Sequence, residues 1–188
     1  FTGKDKRVKH SNFGIMAGFC RFAPYRKDGD TTARMNEGWL KINTSKIGGP
    51  KIAGYTKVKM YYAGYGSKTA VEFYENGVLK ESDSLNATGN FNIKNWSINT
   101  VPGQFEIKFK GKDSPDIYGL SLEGGTGVMV DNFGLRGSSG TFFNQMNLNH
   151  LAQFYNNLNV KLMILQYGGN ALPYMKDSSQ AVAFGKYL

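Results

Sequence analysis

The periodicity of the chain changes at Gly124-Gly125-Thr126-Gly127, and this change constrains the fold more than any other feature of the sequence. Before it, apolar and polar residues alternate over short runs broken by turn residues. After it, apolar residues recur three or four positions apart. Alternation by two puts side chains on opposite faces of a half-buried strand, whereas spacing by three or four lines one side of a helix. The chain must therefore combine a β domain with part of a helix-containing one.

Eight segments before the change read as strands: 19–25, 38–44, 57–65, 70–74, 78–84, 91–98, 104–110 and 117–122. Phe105, Ile107 and Phe109 alternate with Glu106, Lys108 and Lys110, and Val58, Met60 and Tyr62 alternate with Lys57, Lys59 and Tyr61. One face of each strand is thus apolar, as in antiparallel sheets with a single buried side. Asn76-Gly77 joins two of these runs, and both central residues of a type I′ hairpin turn need positive φ, which Asn and Gly tolerate. The pattern predicts an antiparallel β-sandwich of jelly-roll type.

After the change, Val128-Met129-Val130 reads as a short strand. Phe143, Met146, Leu151, Phe154 and Leu158 then follow at helical spacing, with Ser139 or Thr141 as the cap. The apolar run Val160–Leu165 reads as a buried parallel strand, and a second helix begins at Ser178. Strand, helix, strand and helix make one βαβ unit with a following helix. Two parallel strands do not make a stable sheet, so further strands are expected from elsewhere.

Composition narrows the function classes. The net charge is +9, and 19 of the 23 Lys and Arg and 12 of the 14 Asp and Glu fall in residues 1–126. A dense basic start (Lys4, Lys6, Arg7, Lys9) is not followed by any compact basic run, so solubility explains the charge better than nucleic-acid binding does. One cysteine, Cys20, excludes an internal disulfide framework, and two histidines, His10 and His150, are too few for most zinc hydrolase sites. No metal or cofactor is expected. No apolar run approaches the roughly 18 residues of a membrane span. The chain begins at Phe1 without a signal-peptide pattern, so a leader and further coding sequence are expected upstream.

Two glycine-rich turns follow the two predicted parallel strands: Val130-Asp131-Asn132-Phe133-Gly134-Leu135-Arg136-Gly137 and Leu165-Gln166-Tyr167-Gly168-Gly169-Asn170. Open α/β sheets place their active sites at such strand ends. These residues resemble the second and third sequence blocks of the SGNH/GDSL hydrolase superfamily. They are most similar to a subgroup, including peptidoglycan O-acetylesterases, in which a carbohydrate-binding-module-like β-sandwich is inserted between blocks one and two. The resemblance implies a mixed fold: a jelly-roll insertion over 19–124, then part of a three-layer flavodoxin-like hydrolase domain over 125–188. Residues 1–18 would be a lead-in, a candidate piece of that same hydrolase domain.

The resemblance further implies that Gly137 and Asn170 are the backbone and side-chain donors of an oxyanion hole. Arg136 and Gly168 would be nearby substrate-binding residues. The chain departs from the family pattern in carrying no Gly-Asp-Ser in residues 1–20 and no Asp-x-x-His after Asn170, with Ala171 where an aspartate often stands. The nucleophile and the acid–histidine pair would then lie before Phe1 and after Leu188, unless the chain is a relative that has lost them. The implied protein is a secreted, periplasmic or cell-surface esterase that deacetylates a polysaccharide or peptidoglycan. Its partners would be that substrate and the remainder of the hydrolase chain, with no nucleic acid.

Plainer readings stand beside these. Gly137 and Asn170 suit any left-handed turn. Ser138 and Ser139 are better caps than nucleophiles, and Asp131 better braces Arg136 than serves in catalysis. His150 falls mid-helix, too far from the strand ends to act as a base, and His10 reads as a surface residue. Trp39, Tyr61, Tyr62, Tyr65, Tyr74 and Trp96 either pack in the sandwich core or stack on sugar rings. The alternative function is a carbohydrate-binding or adhesion module with a catalytically degenerate α/β tail.

Overall fold

The computed structural model describes residues 5–25, 34–43, 54–134 and 139–186. The chain divides into two compact units: residues 20–129, and residues 1–19 together with 130–188.

In the first unit, the described residues form seven strands where the alternation predicts them. These are β1 (Asn36–Asn43), β2 (Lys57–Ala63), β3 (Thr69–Glu75), β4 (Val78–Ser84), β5 (Asn92–Ser97), β6 (Gln104–Gly111) and β7 (Asp116–Glu123). All pair antiparallel, in one sheet of order β1-β6-β3-β4 and another of order β5-β2-β7. Cys20 bridges Ile117 on the edge of β7 that faces away from β2. Taken as the stub of an eighth strand, that bridge completes two four-stranded sheets in the interleaved order of a jelly roll.

The predicted apolar faces meet in one core. Val58, Met60, Phe73, Phe105, Ile107 and Trp96 are buried together, and the Phe73 and Trp96 rings stack across the two sheets at 5.0 Å. Each such side chain contributes about 1.5–3 kcal/mol through removal from water. The β3–β4 hairpin turns on Asn76 (φ 49°) and Gly77 (φ 82°), the positive pair that a type I′ turn requires. Tyr61 lies outside the shared core, on the face the alternation gives it, yet it is not exposed. It is buried on the other face of β2, its ring 5.9 Å from that of Phe91, beside a register shift between Tyr61 and Tyr62.

The segment 19–25 is a strand only at its single bridge. Side chains replace the ladder beyond it: the Phe22 N–H donates to Ser114 Oγ (3.1 Å), and the Arg21 guanidinium reaches Asp113 and Asp116. These bonds satisfy the segment without continuous pairing.

The second unit carries α1 (Leu148–Asn157), α2 (Ser178–Gly185) and 3-10 turns at Thr141–Gln145 and Leu172–Tyr174. The first helix starts later than expected. Phe143 lies in the 3-10 turn, and the cap is Asn147, whose Oδ1 accepts from the His150 N–H at 3.2 Å. Ser139 and Thr141 instead bond each other at 3.0 Å. Asn147 also ties the N-terminal segment to the helix: its N–H donates to the Ser11 carbonyl (2.8 Å) and its Nδ2 to Asn12 Oδ1 (3.0 Å).

The two expected parallel strands are not strands. Val128–Val130 and Val160–Leu165 pair with no strand among the described residues, and both runs are exposed, Leu162 by 77%. A parallel strand is held by ladder bonds to neighbours and by layers over both faces. Neither run has these here, so hydrophobicity alone does not make it a strand. The described residues therefore contain a β-sandwich and two helices, and no flavodoxin-like sheet.

Candidate functional site

Of the four residues singled out near the C-terminus, Arg136 and Gly137 lie outside the described residues, as does Ser138. Gly168 and Asn170 are described. Gly168 has φ +113°, a conformation that side-chain-bearing residues rarely adopt, which explains glycine there. Its carbonyl accepts the N–H groups of Ala171 (2.9 Å) and Leu172 (2.8 Å), closing a turn that opens the 3-10 helix. Asn170 is exposed within that turn, and the Tyr167 ring before it packs edge-on against Phe143 at 6.1 Å. A carboxamide N–H is the kind of neutral donor that can stabilise an oxygen carrying developing negative charge.

The remaining candidates fall into structural positions. Asp131 is exposed, and its expected partner Arg136 is outside the described residues. His150 is 1% exposed and meets Phe154 edge-on at 5.3 Å. Burial, aided by His10, pulls its imidazole down to about 4. His10 is half-buried rather than a free surface group; its Nδ1 accepts the Asn12 N–H at 3.2 Å, and its ring lies 5.4 Å from Phe19. Among the described residues no three His, Cys, Asp or Glu side chains gather as metal ligands.

Two constellations escaped sequence reading. The first is ionic and buried. Arg21, with 3% of its side chain exposed, donates at 2.7 Å to Asp116, which is fully buried, and also pairs with Asp113. Tyr25 OH donates to both Asp116 oxygens (3.3 and 3.2 Å), and the guanidinium lies 4.1 Å above the Tyr25 ring. Burial, reinforced by the charge on Asp116, raises the Tyr25 phenol far above its usual range. The partners are about 90 residues apart in sequence, so no local motif announces them. Their role is to pin the start of the sandwich to β7.

The second is a cleft of about 510 Å³ on the outward face of β1, β6 and β3, lined by Glu37, Trp39, Glu72, Glu106, Lys108 and Lys110 among others. The register aligns Trp39, Lys108 and Glu72 in one cross-strand row and Glu37, Lys110 and Ala70 in the next. Glu37 and Lys110 form an ion pair at 2.7 Å. Tyr74 OH donates to Glu72 at 2.6 Å, and Lys108 Nζ sits 4.4 Å over the Tyr74 ring. The structure also sorts the aromatics: Trp96 and Tyr62 are core residues and Tyr61 is buried outside that core, whereas Trp39 is 67% exposed. The sequence did carry this signal, because Trp39 falls in the polar phase of β1, opposite Leu40 and Ile42.

No protein-family model matches the chain, and no curated protein matches it. Among solved structures, it is similar to a family two carbohydrate esterase from Clostridium thermocellum in complex with cellohexaose. That likeness covers 48% of this chain at 9% identity with a TM-score of 0.30. It spans about a quarter of the length of that esterase, 25%.

Proposed function

We propose that residues 1–188 are the central part of an SGNH-type serine esterase that removes O-acetyl groups from a polysaccharide or peptidoglycan at the cell envelope or outside the cell. The observation that carries this reading is that the residues flanking the sandwich belong to one compact unit. Asn147 bonds to Ser11 and Asn12 within it, although the whole sandwich intervenes in sequence. A jelly roll inserted into a second domain produces that arrangement, and the resemblance of the blocks around Gly137 and Asn170 supplies the chemistry. Residues 1–18 and 125–188 would belong to the hydrolase domain. Its sheet would draw the exposed runs Val128–Val130 and Val160–Leu165 into strands.

The reading requires a serine, with an acid and a histidine, from sequence outside residues 1–188. The serine Oγ attacks the ester carbonyl, the sugar hydroxyl leaves with a proton from the histidine, and water releases acetate from the acyl-serine. The Gly137 N–H and the Asn170 side chain would hold the negative oxygen of each tetrahedral intermediate. Losing one such donor lowers kcat by about 10²–10³. The test is an acetyl ester assay on the full-length protein, with p-nitrophenyl acetate and an acetylated polysaccharide. Asn170→Ala should lower kcat by that factor with KM little changed; an unchanged rate refutes the assignment.

The second reading is a binding module without catalysis, favoured by the cleft around Trp39. A full-length protein that binds polysaccharide and hydrolyses no ester supports it.

A further inference from the structure

We infer that the outward face of β1, β6 and β3 is a binding site for an uncharged, pyranose-based polysaccharide, with Trp39 as its stacking platform. The inference deepens the second reading above, a binding module, on which it rests, and is independent of the esterase reading, since it uses residues of the sandwich alone.

The first argument is the shape and polarity of the face. A single large indole, 67% exposed, stands at the side of a cleft whose other named walls are carboxylates and ammonium groups. Ligand clefts combine apolar area with a few convergent polar groups in a volume of about 300–1,000 Å³, and this one falls in that range. A pyranose ring has the complementary pattern. Its C–H bonds on one face are apolar and pack flat on an aromatic ring, while its hydroxyls around the rim both donate and accept hydrogen bonds.

The second argument is preorganisation. Lys108 is held between Trp39 and Glu72 by the strand register and rests on the Tyr74 ring, while Tyr74 is fixed to Glu72. These partners sit on rigid strands rather than loops, so the polar groups beside the indole are in place before a ligand arrives, which lowers the entropic cost of binding. The exposed Glu37–Lys110 pair is easily exchanged for sugar hydroxyls, because a surface ion pair is worth little.

The third argument is charge, and it selects the class of glycan. The chain as a whole is strongly basic, at +9. The cleft is not: Glu37, Glu72 and Glu106 face Lys108 and Lys110. A site for an anionic polymer or nucleic acid concentrates cations, because neutralising the polymer charge supplies the affinity. Here carboxylates stand in the wall itself, so a neutral glycan is favoured over uronic-acid polymers and nucleic acid.

The experiment is affinity electrophoresis of the 188-residue chain through gels containing hydroxyethyl cellulose, xylan or polygalacturonate, followed by titration of an N-acetylglucosamine hexamer monitored by tryptophan fluorescence. Trp96 is buried and Trp39 is exposed, so a ligand-induced change in emission reports on Trp39. Binding to at least one neutral glycan is expected, weakened about tenfold or more by Trp39→Ala, a loss typical of a central aromatic anchor. Glu72→Gln, which keeps the shape of the face, should weaken it less. The thermal midpoint should be unchanged in both variants, since neither removes a core side chain.

The proposal is overturned if no neutral glycan is bound, if binding is insensitive to Trp39→Ala, or if the only ligand is polygalacturonate, held in a salt-dependent way. Dimerisation abolished by Trp39→Ala, without glycan binding, also overturns it and assigns the face to a second copy of the chain. None of these results bears on Asn170 or on ester hydrolysis.

Discussion

Asp116→Ala should unfold the sandwich at a markedly lower temperature, and the structure sets the size of the effect. Asp116 is fully buried and accepts from both Arg21, at 2.7 Å, and Tyr25. Removing it strands a guanidinium that is itself 3% exposed. Breaking a buried ion pair by deleting one partner costs about 3–5 kcal/mol. Arg21 keeps Asp113, whose side chain is 38% exposed, and still lies over the Tyr25 ring. The expected loss is therefore near the lower end, about 3 kcal/mol. For a unit of this size that corresponds to a fall in thermal midpoint of roughly 10–15 °C.

Trp96 fluorescence is a suitable assay, because its ring stacks on Phe73 inside the core and loses that contact when the sandwich opens. Asp116→Asn keeps an acceptor for Tyr25 and should fall between wild type and alanine. Replacing both charges, in Arg21→Met with Asp116→Leu, should recover much of the loss, since an apolar pair leaves no stranded ion. A midpoint shift below about 3 °C for Asp116→Ala would mean that the cluster contributes under about 1 kcal/mol and is open to water. A double variant no more stable than Asp116→Ala would refute the ionic account of the cluster.

Other outcomes follow from the same geometry. His150, held down to about 4 by burial and by His10, binds its proton less readily in the folded chain than the ordinary 6.5 of an unfolded one. Its contribution is fully present above pH 6.5 and is lost as pH falls from there to about 4, by about 3 kcal/mol at about 1.4 kcal/mol per pKa unit. An NMR titration of its imidazole should show no protonation until near pH 4, and a midpoint near 6.5 would refute the burial. Gly77→Val puts a β-branched residue at φ 82° in the β3–β4 turn and should cost about 1–3 kcal/mol in urea unfolding. No loss there would mean that the turn relaxes without strain.

The legibility of this chain divides by the range of the interactions involved. The strands and the Asn76-Gly77 hairpin were readable, because alternation and turn chemistry act between neighbours in sequence. The alternation of Phe105, Ile107 and Phe109 reached the core intact. Val160–Leu165 was not readable as what it is: the same apolar run suits a buried strand or an unpaired exposed segment, and only the presence of partners decides. The Asn147 cap was missed because Ser139 and Thr141 offered equally good local chemistry upstream. The Gly168 turn was readable from its glycine.

By itself the sequence determined the Asn76-Gly77 turn, the apolar face of strands such as β2 and β6, and the change from a period of two to helical spacing. All three follow from local backbone preference and the exclusion of apolar groups from water. Tertiary structure alone decided which strands are neighbours, giving the order β1-β6-β3-β4 beside β5-β2-β7. It alone brought Arg21 to Asp116 across some 90 residues, and it separated Trp39, left in solvent above a row of charges, from Trp96, sealed in the core. Pairing and burial are set by which distant segments meet, and an isolated stretch of residues carries no record of its eventual neighbours.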